Sequence, residues 1–161
     1  MQELALLPAV TLARMIRARA VSPVEVLDAV LDSVARHEPS LNAFCTMMVE
    51  DARLAARTAE SAVMRGEALG PLHGVPVTIK DLLLTRGVRT MRGSRLYADF
   101  IPSENAPTVD RLLEAGAILF GKTTTPELGW KGATDSPLTG VTRNPWNLAC
   151  TPGGSSGGAA A

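Results

Sequence analysis

The sequence is poor in the residues that indicate a metal site or a membrane span, and its charge does not favour nucleic acid. Its two histidines and two cysteines, Cys45 and Cys150, lack the spacing of metal ligands, which argues against a zinc site. Sixteen basic residues balance sixteen acidic ones, so no nucleic acid contact is expected. No apolar run is long enough to cross a bilayer, and no secretory signal pattern begins the chain. We therefore expect a cytoplasmic protein without a membrane partner, with both thiols free and buried.

The composition is that of a globular domain, and the first third of the chain predicts helices. Of the 161 residues, 46% are hydrophobic and 20% are charged. Apolar residues recur at helical spacing over 8–20. Ser22 and Glu25 form a capping-box pattern at the start of a second helix, which we expect Pro39 to close. A third helix is predicted from about residue 50 to 65, ending at Gly66, and we interpret these helices as a scaffold.

The middle of the chain predicts buried strands that end in lysines. Residues 77–79 are β-branched and apolar, and they deliver Lys80 and Asp81 at the strand end. Lys80 could extend its charge to solvent, or it could be partly desolvated, which favours the neutral amine of a general base. A helix over 108–115 and a strand over 117–120 precede Lys122, a second candidate that we interpret as structural. This order of elements predicts an α/β sheet with functional loops at strand ends.

Residues 123–152 show little periodicity and contain both tryptophans of a chain that is only 4% aromatic. Such a long irregular stretch is uncommon inside a compact domain unless it lines a site. Trp130 is a candidate apolar wall for a small organic substrate. For Trp146 we favour a packing role, in which the ring fixes the loop to the core.

The segment Thr-Pro-Gly-Gly-Ser-Ser-Gly-Gly at 151–158 allows three interpretations. It could be a flexible Gly/Ser tail. It could be a phosphate-binding loop, but the Lys-Ser/Thr pair of a P-loop is missing. It could be a loop that presents a serine hydroxyl to a reaction, since glycine allows sharp turns and close backbone approach.

Four segments together resemble the amidase signature family. They are Gly-Val-Pro-Val-Thr-Ile-Lys-Asp at 74–81, the segment 116–127, Thr-Arg-Asn-Pro-Trp at 142–146, and Pro-Gly-Gly-Ser-Ser-Gly-Gly at 152–158. They occur in the expected order and spacing, and the resemblance extends from about residue 70 to residue 161. It implies an α/β fold in which N-terminal helices are followed by the first strands of a mixed-sheet α/β/α core, truncated here.

The resemblance also implies a Ser-Ser-Lys triad that hydrolyses amide bonds without cofactor or metal. By the motif, Lys80 is the base and Ser155 is the bridging serine, held by a cis peptide bond. A neutral lysine can activate a weakly nucleophilic hydroxyl through such a relay. We expect only one of the two adjacent serines to face Lys80. Gly129, Trp130 and Ser156 are the predicted contacts of a small-molecule amide substrate.

One departure from the family pattern concerns the nucleophile. The family places its attacking serine in a second Gly-Gly-Ser element, and residues 1–161 contain none. We therefore interpret the chain as the N-terminal portion of one amidase domain, inactive alone, with a helical region over 1–68 and the start of the α/β core over 69–161. Its uncovered sheet edges predict self-association.

Two other functions remain open. The chain could be a non-catalytic binding or scaffold fragment, or it could belong to the A-type subunit of a tRNA-dependent amidotransferase. Trp130 and the Thr-Asp-Ser-Pro run at 134–137 resemble stand-alone bacterial amidases more than that subunit.

Overall fold

A computed structural model describes residues 3–161, which divide into two compact units. The first unit contains residues 3–36, 48–77 and 110–120 of the described chain. The second unit contains residues 37–47, 78–109 and 121–161. The predicted division into 1–68 and 69–161 stays a prediction.

The N-terminal helices have the sequence features that start and stop helices. Their bounds are α1 Ala9–Arg17, α2 Pro23–Leu41 and α3 Val49–Arg65. At the start of α2, Ser22 Oγ accepts a hydrogen bond from the amide of Val24, and Glu25 accepts one from the amide of Ser22, which confirms the capping box. Gly66, in the left-handed conformation, ends α3 as predicted.

One helix boundary was predicted wrongly. Pro39 does not close α2, which continues to Leu41. Proline removes the hydrogen bond of its own amide and its ring crowds the carbonyl four residues earlier, but the residues after it keep their amide hydrogens and can stay helical. The amide of Asn42 still donates to the carbonyl of Glu38, so the last turn forms around the proline.

The core of the first unit is formed by apolar side chains from its helices and the segment before β2. The buried cluster consists of Leu12, Ile16, Val21, Val26, Val63 and Val75. On α3, Ala52, Ala56 and Ala59 are buried, as their spacing predicts. Small side chains on this face allow close packing of α3.

Three strands form a mixed sheet in the order β1-β3-β2. Their bounds are β1 Phe44–Met47, β2 Pro76–Lys80 and β3 Ile118–Thr123, and β1 pairs with β3 antiparallel. The amide of Ile118 donates to the carbonyl of Val75, and the amide of Asp81 donates to the carbonyl of Thr123, which is the pattern of a parallel pair. The predicted α/β class is confirmed, whereas β1 was not predicted.

The remaining elements are short and belong mostly to the second unit. They are α4 Pro107–Glu114, the two-strand pair β4 Asp135–Ser136 and β5 Gly140–Val141, and α5 Gly157–Ala160. Single 3-10 turns lie at Leu4–Leu6, Arg95–Tyr97 and Glu127–Gly129. The long irregular stretch predicted over 123–152 is therefore present, interrupted only by these short elements.

Two predictions about burial were wrong. Trp146 is 94% exposed, so it does not fix its loop to the core. Its backbone explains this, because the amide of Trp146 donates to Asn144 Oδ1 in a tight turn that directs the ring outward. The thiols are free as expected, but Cys150 is exposed and Cys45 is half-buried.

Candidate active site

The amine of Lys80 lies against the hydroxyls of Ser155 and Ser156. Lys80 is the last residue of β2, and its side chain is half-buried. Its Nζ donates to Ser155 Oγ at 2.7 Å and to Ser156 Oγ at 2.9 Å. The lysine therefore does not extend freely into solvent. The expectation that only one serine could face it is wrong, because the chain turns at Ser156, directly before α5, and brings both hydroxyls to the amine.

The serine segment is fixed by hydrogen bonds to two threonines and is not a tail. Thr134 Oγ1 donates to the carbonyl of Gly153 at 2.8 Å and accepts from the amide of Gly157 at 3.1 Å. The amide of Gly158 donates to the carbonyl of Thr124 at 3.3 Å. Of the three interpretations of this segment, the serine-presenting loop is the one that this geometry supports.

Two glycines are required by close packing. A Cβ at Gly157 would overlap the side chain of Thr134, and a Cβ at Gly158 would overlap the carbonyl of Ala43 and the side chain of Thr124. Neither position has a left-handed φ, so the constraint is steric. The peptide bond between Gly154 and Ser155 is cis, as the family resemblance implies.

Burial sets the protonation preference of Lys80. It lowers the pKa of the Lys80 amine below its ordinary value of 10.5, because desolvation disfavours the charged form. A neutral amine has a lone pair that can accept the hydrogen of a serine hydroxyl. Lys80 can therefore both donate to and accept from the two serines, which is what a proton relay requires.

Gly129 lies beside the serine pair, and Trp130 follows it at the surface. A Cβ at Gly129 would lie 3.7 Å from Ser155 Oγ and only 2.7 Å from the side chain of Leu82. Trp130 is 74% exposed, with the amine of Lys131 5.7 Å from its ring centroid. Leu82 was not identified from the sequence. The sequence signal that could have identified Leu82 as part of the site was its position two residues after the strand-end lysine.

Lys122 forms a buried ion pair with Asp81, the residue that follows Lys80. The Lys122 side chain is 0% exposed, and its Nζ lies 3.6 Å from Asp81 Oδ1. The structure therefore separates the two lysines chemically. Lys80 bonds to two serine hydroxyls, whereas Lys122 has a buried carboxylate partner as well as threonine hydroxyls, which agrees with the structural interpretation of Lys122.

Within the part of the chain that the structure describes, no three His, Cys, Asp or Glu side chains group as metal ligands. The helices over residues 3–161 include none that is long and apolar enough to cross a membrane.

A lysine amine hydrogen-bonded to a pair of serine hydroxyls at a strand end is the kind of arrangement that Ser-Lys hydrolases use. The sequence profile of the amidase family matches residues 25–161, and the chain belongs to that family. The mixed α/β fold is that of amidase signature enzymes.

Curated relatives and solved structures agree on the family. The chain is 46% identical over 141 residues to the A-type subunit of glutamyl-tRNA(Gln) amidotransferase from Synechococcus sp. strain CC9605, covering 88% of this chain and 29% of the relative. It is 44% identical to the corresponding protein from Acidothermus cellulolyticus, covering 95% of this chain and 30% of the relative. A bacterial aryl acylamidase of the amidase signature family superposes with a TM-score of 0.90 at 32% identity, covering 95% of this chain and 32% of that structure. The chain thus spans about a third of the length of these proteins.

Proposed function

We propose that the full-length gene product cleaves a carboxylic amide to an acid and ammonia or an amine, with Lys80 as general base and Ser155 as relay. The observation that carries the proposal is the 2.7 Å contact between Lys80 Nζ and Ser155 Oγ. In this proposal the attacking serine is the further one that the family resemblance implies.

In this proposal the proton moves among three groups, the attacking serine, Ser155 and Lys80. The attacking hydroxyl gives its proton to Ser155 Oγ while its oxygen bonds to the amide carbon, and Ser155 gives its own proton to the neutral amine of Lys80. The proton then returns along the same path to the nitrogen of the leaving group, and the C–N bond breaks. In the second half, water gives a proton to the same base while its oxygen bonds to the ester carbon. The carbon–serine bond then breaks, the proton returns to the serine oxygen, and the acid is released. Gly129, Trp130 and Ser156 are proposed contacts of the substrate beside this path.

The experiment measures ammonia or amine release by the full-length gene product from a panel of aliphatic and aromatic amides. Lys80→Met removes the base with little change in side-chain volume, and we expect kcat to fall by about 10²–10⁴-fold, the usual contribution of a general base. Arg57→Met, which removes an exposed cation from α3, is the control with unchanged kcat. Near-parent turnover by Lys80→Met would exclude Lys80 from the mechanism, and no turnover of any amide by the parent would favour the scaffold alternative.

A second candidate is a subunit role in an amidotransferase. The observation that favours it is the 46% and 44% identity to relatives named as A-type subunits of glutamyl-tRNA(Gln) amidotransferase, against 32% for the aryl acylamidase. Here the discriminating assay is amidation of glutamyl-tRNA(Gln) by the gene product purified with its partner subunits. Amidation only in the presence of partners supports the subunit role, whereas amide release by the protein alone supports the stand-alone enzyme that Trp130 and residues 134–137 predict.

A further inference from the structure

The ammonium group of Lys122 is surrounded by three oxygen acceptors from the segment that follows Lys80. Lys122 Nζ donates to the carbonyl of Leu83 at 2.8 Å, to Thr90 Oγ1 at 2.8 Å and to Thr85 Oγ1 at 3.2 Å. The lysine side chain and Thr90 are both 0% exposed, and Thr85 is 3% exposed. The bonds to the two threonines are therefore shielded from water.

The acceptors around Lys122 favour its charged form. Thr85 Oγ1 donates its own hydrogen to the carbonyl of Leu83, and Thr90 Oγ1 donates its own to the carbonyl of Val88. Each hydroxyl has only one hydrogen, so both can only accept from Lys122. Three acceptors require three hydrogens, and an ammonium group has three whereas a neutral amine has two. The three acceptors around Lys122 Nζ therefore match the three hydrogens of an ammonium group.

Asp81 supplies the opposite charge. Asp81 is 1% exposed, and its Oδ2 accepts from the amide of Met91 at 3.0 Å. Burial raises the pKa of Asp81 and lowers that of Lys122, and each charge opposes the shift of the other. Cys45 faces the pair from β1, and burial raises its pKa to about 12, which keeps the thiol neutral. The pair therefore balances its own charge, and the proton-accepting amine of the region is Lys80.

The same groups also bond to the main chain of the turn that follows Lys80. The carbonyl of Lys80 accepts a hydrogen bond from the amide of Leu83 at 3.0 Å. The carbonyl of Leu83 in turn accepts the hydrogen bond from Lys122 Nζ. The amide of Asp81 donates to the carbonyl of Thr123, and its carbonyl accepts from the amide of Arg92. The turn after β2 is thus fixed on both sides by main-chain and side-chain bonds.

We propose that Lys122 is a positioning residue for Lys80: paired with Asp81 and bonded to Leu83, Thr85 and Thr90, it fixes the turn after β2 and so holds the Lys80 amine against Ser155 and Ser156. Its consequence for catalysis rests on the proposed function. The placement of Lys80 itself can be measured without any turnover.

The test reads the pKa of Lys80 by acetic anhydride labelling of the full-length gene product across pH, with mass spectrometry of the peptide that contains Lys80. If Lys122 is replaced by Met, the Lys80 amine becomes more solvated, and we expect its pKa to rise toward the ordinary lysine value. We expect kcat to fall by about 10²-fold with little change in KM, because small displacements of a reacting group have costs of that order.

Further variants distinguish positioning from general stability. Lys122→Met/Asp81→Asn leaves no unpaired buried charge, so it should recover stability without restoring the pKa of Lys80. Thr90→Val removes one acceptor of Lys122 and should raise the pKa of Lys80 in the same direction. Thr142→Val is the matched control, because Thr142 is equally buried but bonds to Thr124 and Asn42, and it should leave that pKa unchanged.

The outcomes separate the two proposals. An unchanged pKa of Lys80 in both Lys122→Met and Thr90→Val would overturn the positioning role, as would equal shifts in Thr90→Val and Thr142→Val. If Lys122→Met does not fold, the two threonine variants decide. If the parent hydrolyses no amide, the proposed function fails, but the labelling result still decides whether Lys122 holds Lys80.

Discussion

Ser155 Oγ and Lys80 Nζ are 2.7 Å apart although 75 positions separate them in the sequence. Ser156 Oγ lies almost as close to the same amine, at 2.9 Å. Two hydroxyls thus share one base, and distance alone does not determine which of them relays the proton. Substitution of each serine separately identifies the hydroxyl that relays the proton.

We expect Ser155→Ala in the full-length gene product to lower kcat by about 10²–10⁴-fold, the range for loss of a group that transfers a proton in the transition state. Ser156→Ala should cost much less, and its effect should appear mainly in KM, since Ser156 is a proposed substrate contact. Steady-state kinetics on the amide that the parent cleaves best provide the comparison. Equal losses in kcat, or a larger loss for Ser156→Ala, would reverse the assignment of the relay.

The hydrolysis rate should increase with pH along a limb set by Lys80. The base is active when neutral, so kcat/KM rises as pH approaches the pKa of Lys80 and levels off above it. Because burial lowers that pKa, the limb should lie below the ordinary lysine value of 10.5. A rate profile from pH 5 to 11 measures this. A limb at or above the ordinary value would show that Lys80 is not desolvated in the working enzyme.

The two thiols should differ in reactivity. Cys150 is exposed, whereas burial raises the pKa of Cys45 to about 12 from 9.0. Since the thiolate is the reactive form, Cys45 should have about 10³-fold less of it than an ordinary thiol at neutral pH. Ellman's reagent on the 161-residue chain should therefore detect one fast thiol, and Cys150→Ser should abolish that phase. Two fast thiols in the folded chain would contradict the raised pKa of Cys45.

The packing of the serine loop predicts a sharp difference between two glycines. Gly157→Ala would place a methyl group on the side chain of Thr134, and we expect a loss of about 1–3 kcal/mol in the free energy of unfolding. Thr134→Ala/Gly157→Ala should recover part of the loss, because the overlapping atoms are removed. At Gly132 a Cβ meets nothing within 4 Å, so Gly132→Ala is the tolerated control. Urea unfolding of the three variants tests this, and equal stability of Gly157→Ala and Gly132→Ala would refute it.

Residues 1–161 as an isolated polypeptide should release no ammonia from amides and should self-associate. The first expectation follows from the lack of a second Gly-Gly-Ser element. The second follows from β1 and β2, which are the edge strands of the sheet, and from exposed large side chains such as Trp146 and Leu96. Light scattering and an ammonia assay measure both. A compact monomer at high concentration would contradict the second expectation, and turnover abolished by Ser155→Ala would contradict the first.

Local signals predicted the elements that depend on neighbouring residues. The capping box at Ser22 and the glycine after α3 act within a few positions, and both are observed. The strand that carries Lys80 was equally visible, because three β-branched or apolar residues precede the charge. These features depend on short stretches of sequence, so they can be predicted without tertiary information.

Features that depend on distant partners were missed. The strand β1 is only four residues long and is stabilised by pairing with β3, about 75 positions away along the chain, so its own residues carry a weak signal. The second serine contact of Lys80 depends on the turn at Ser156, and the outward ring of Trp146 depends on its bond to Asn144. The buried partners of Lys122 lie in an irregular segment whose side-chain directions no periodicity predicts.

The bonds around Asn42 connect the earliest and latest parts of the second unit. Asn42 Nδ2 donates to the carbonyls of Thr139 and Val141, and Thr142 Oγ1 donates to the carbonyl of Asn42, at sequence separations of 97, 99 and 100. Contacts of such separation form late and slowly, because a long loop must close before they are made. In a chain emerging from the ribosome, Lys80 is synthesised well before its serines. Until Ser155 and Ser156 have been made, the Lys80 amine lacks the two hydroxyls that it contacts in the folded chain.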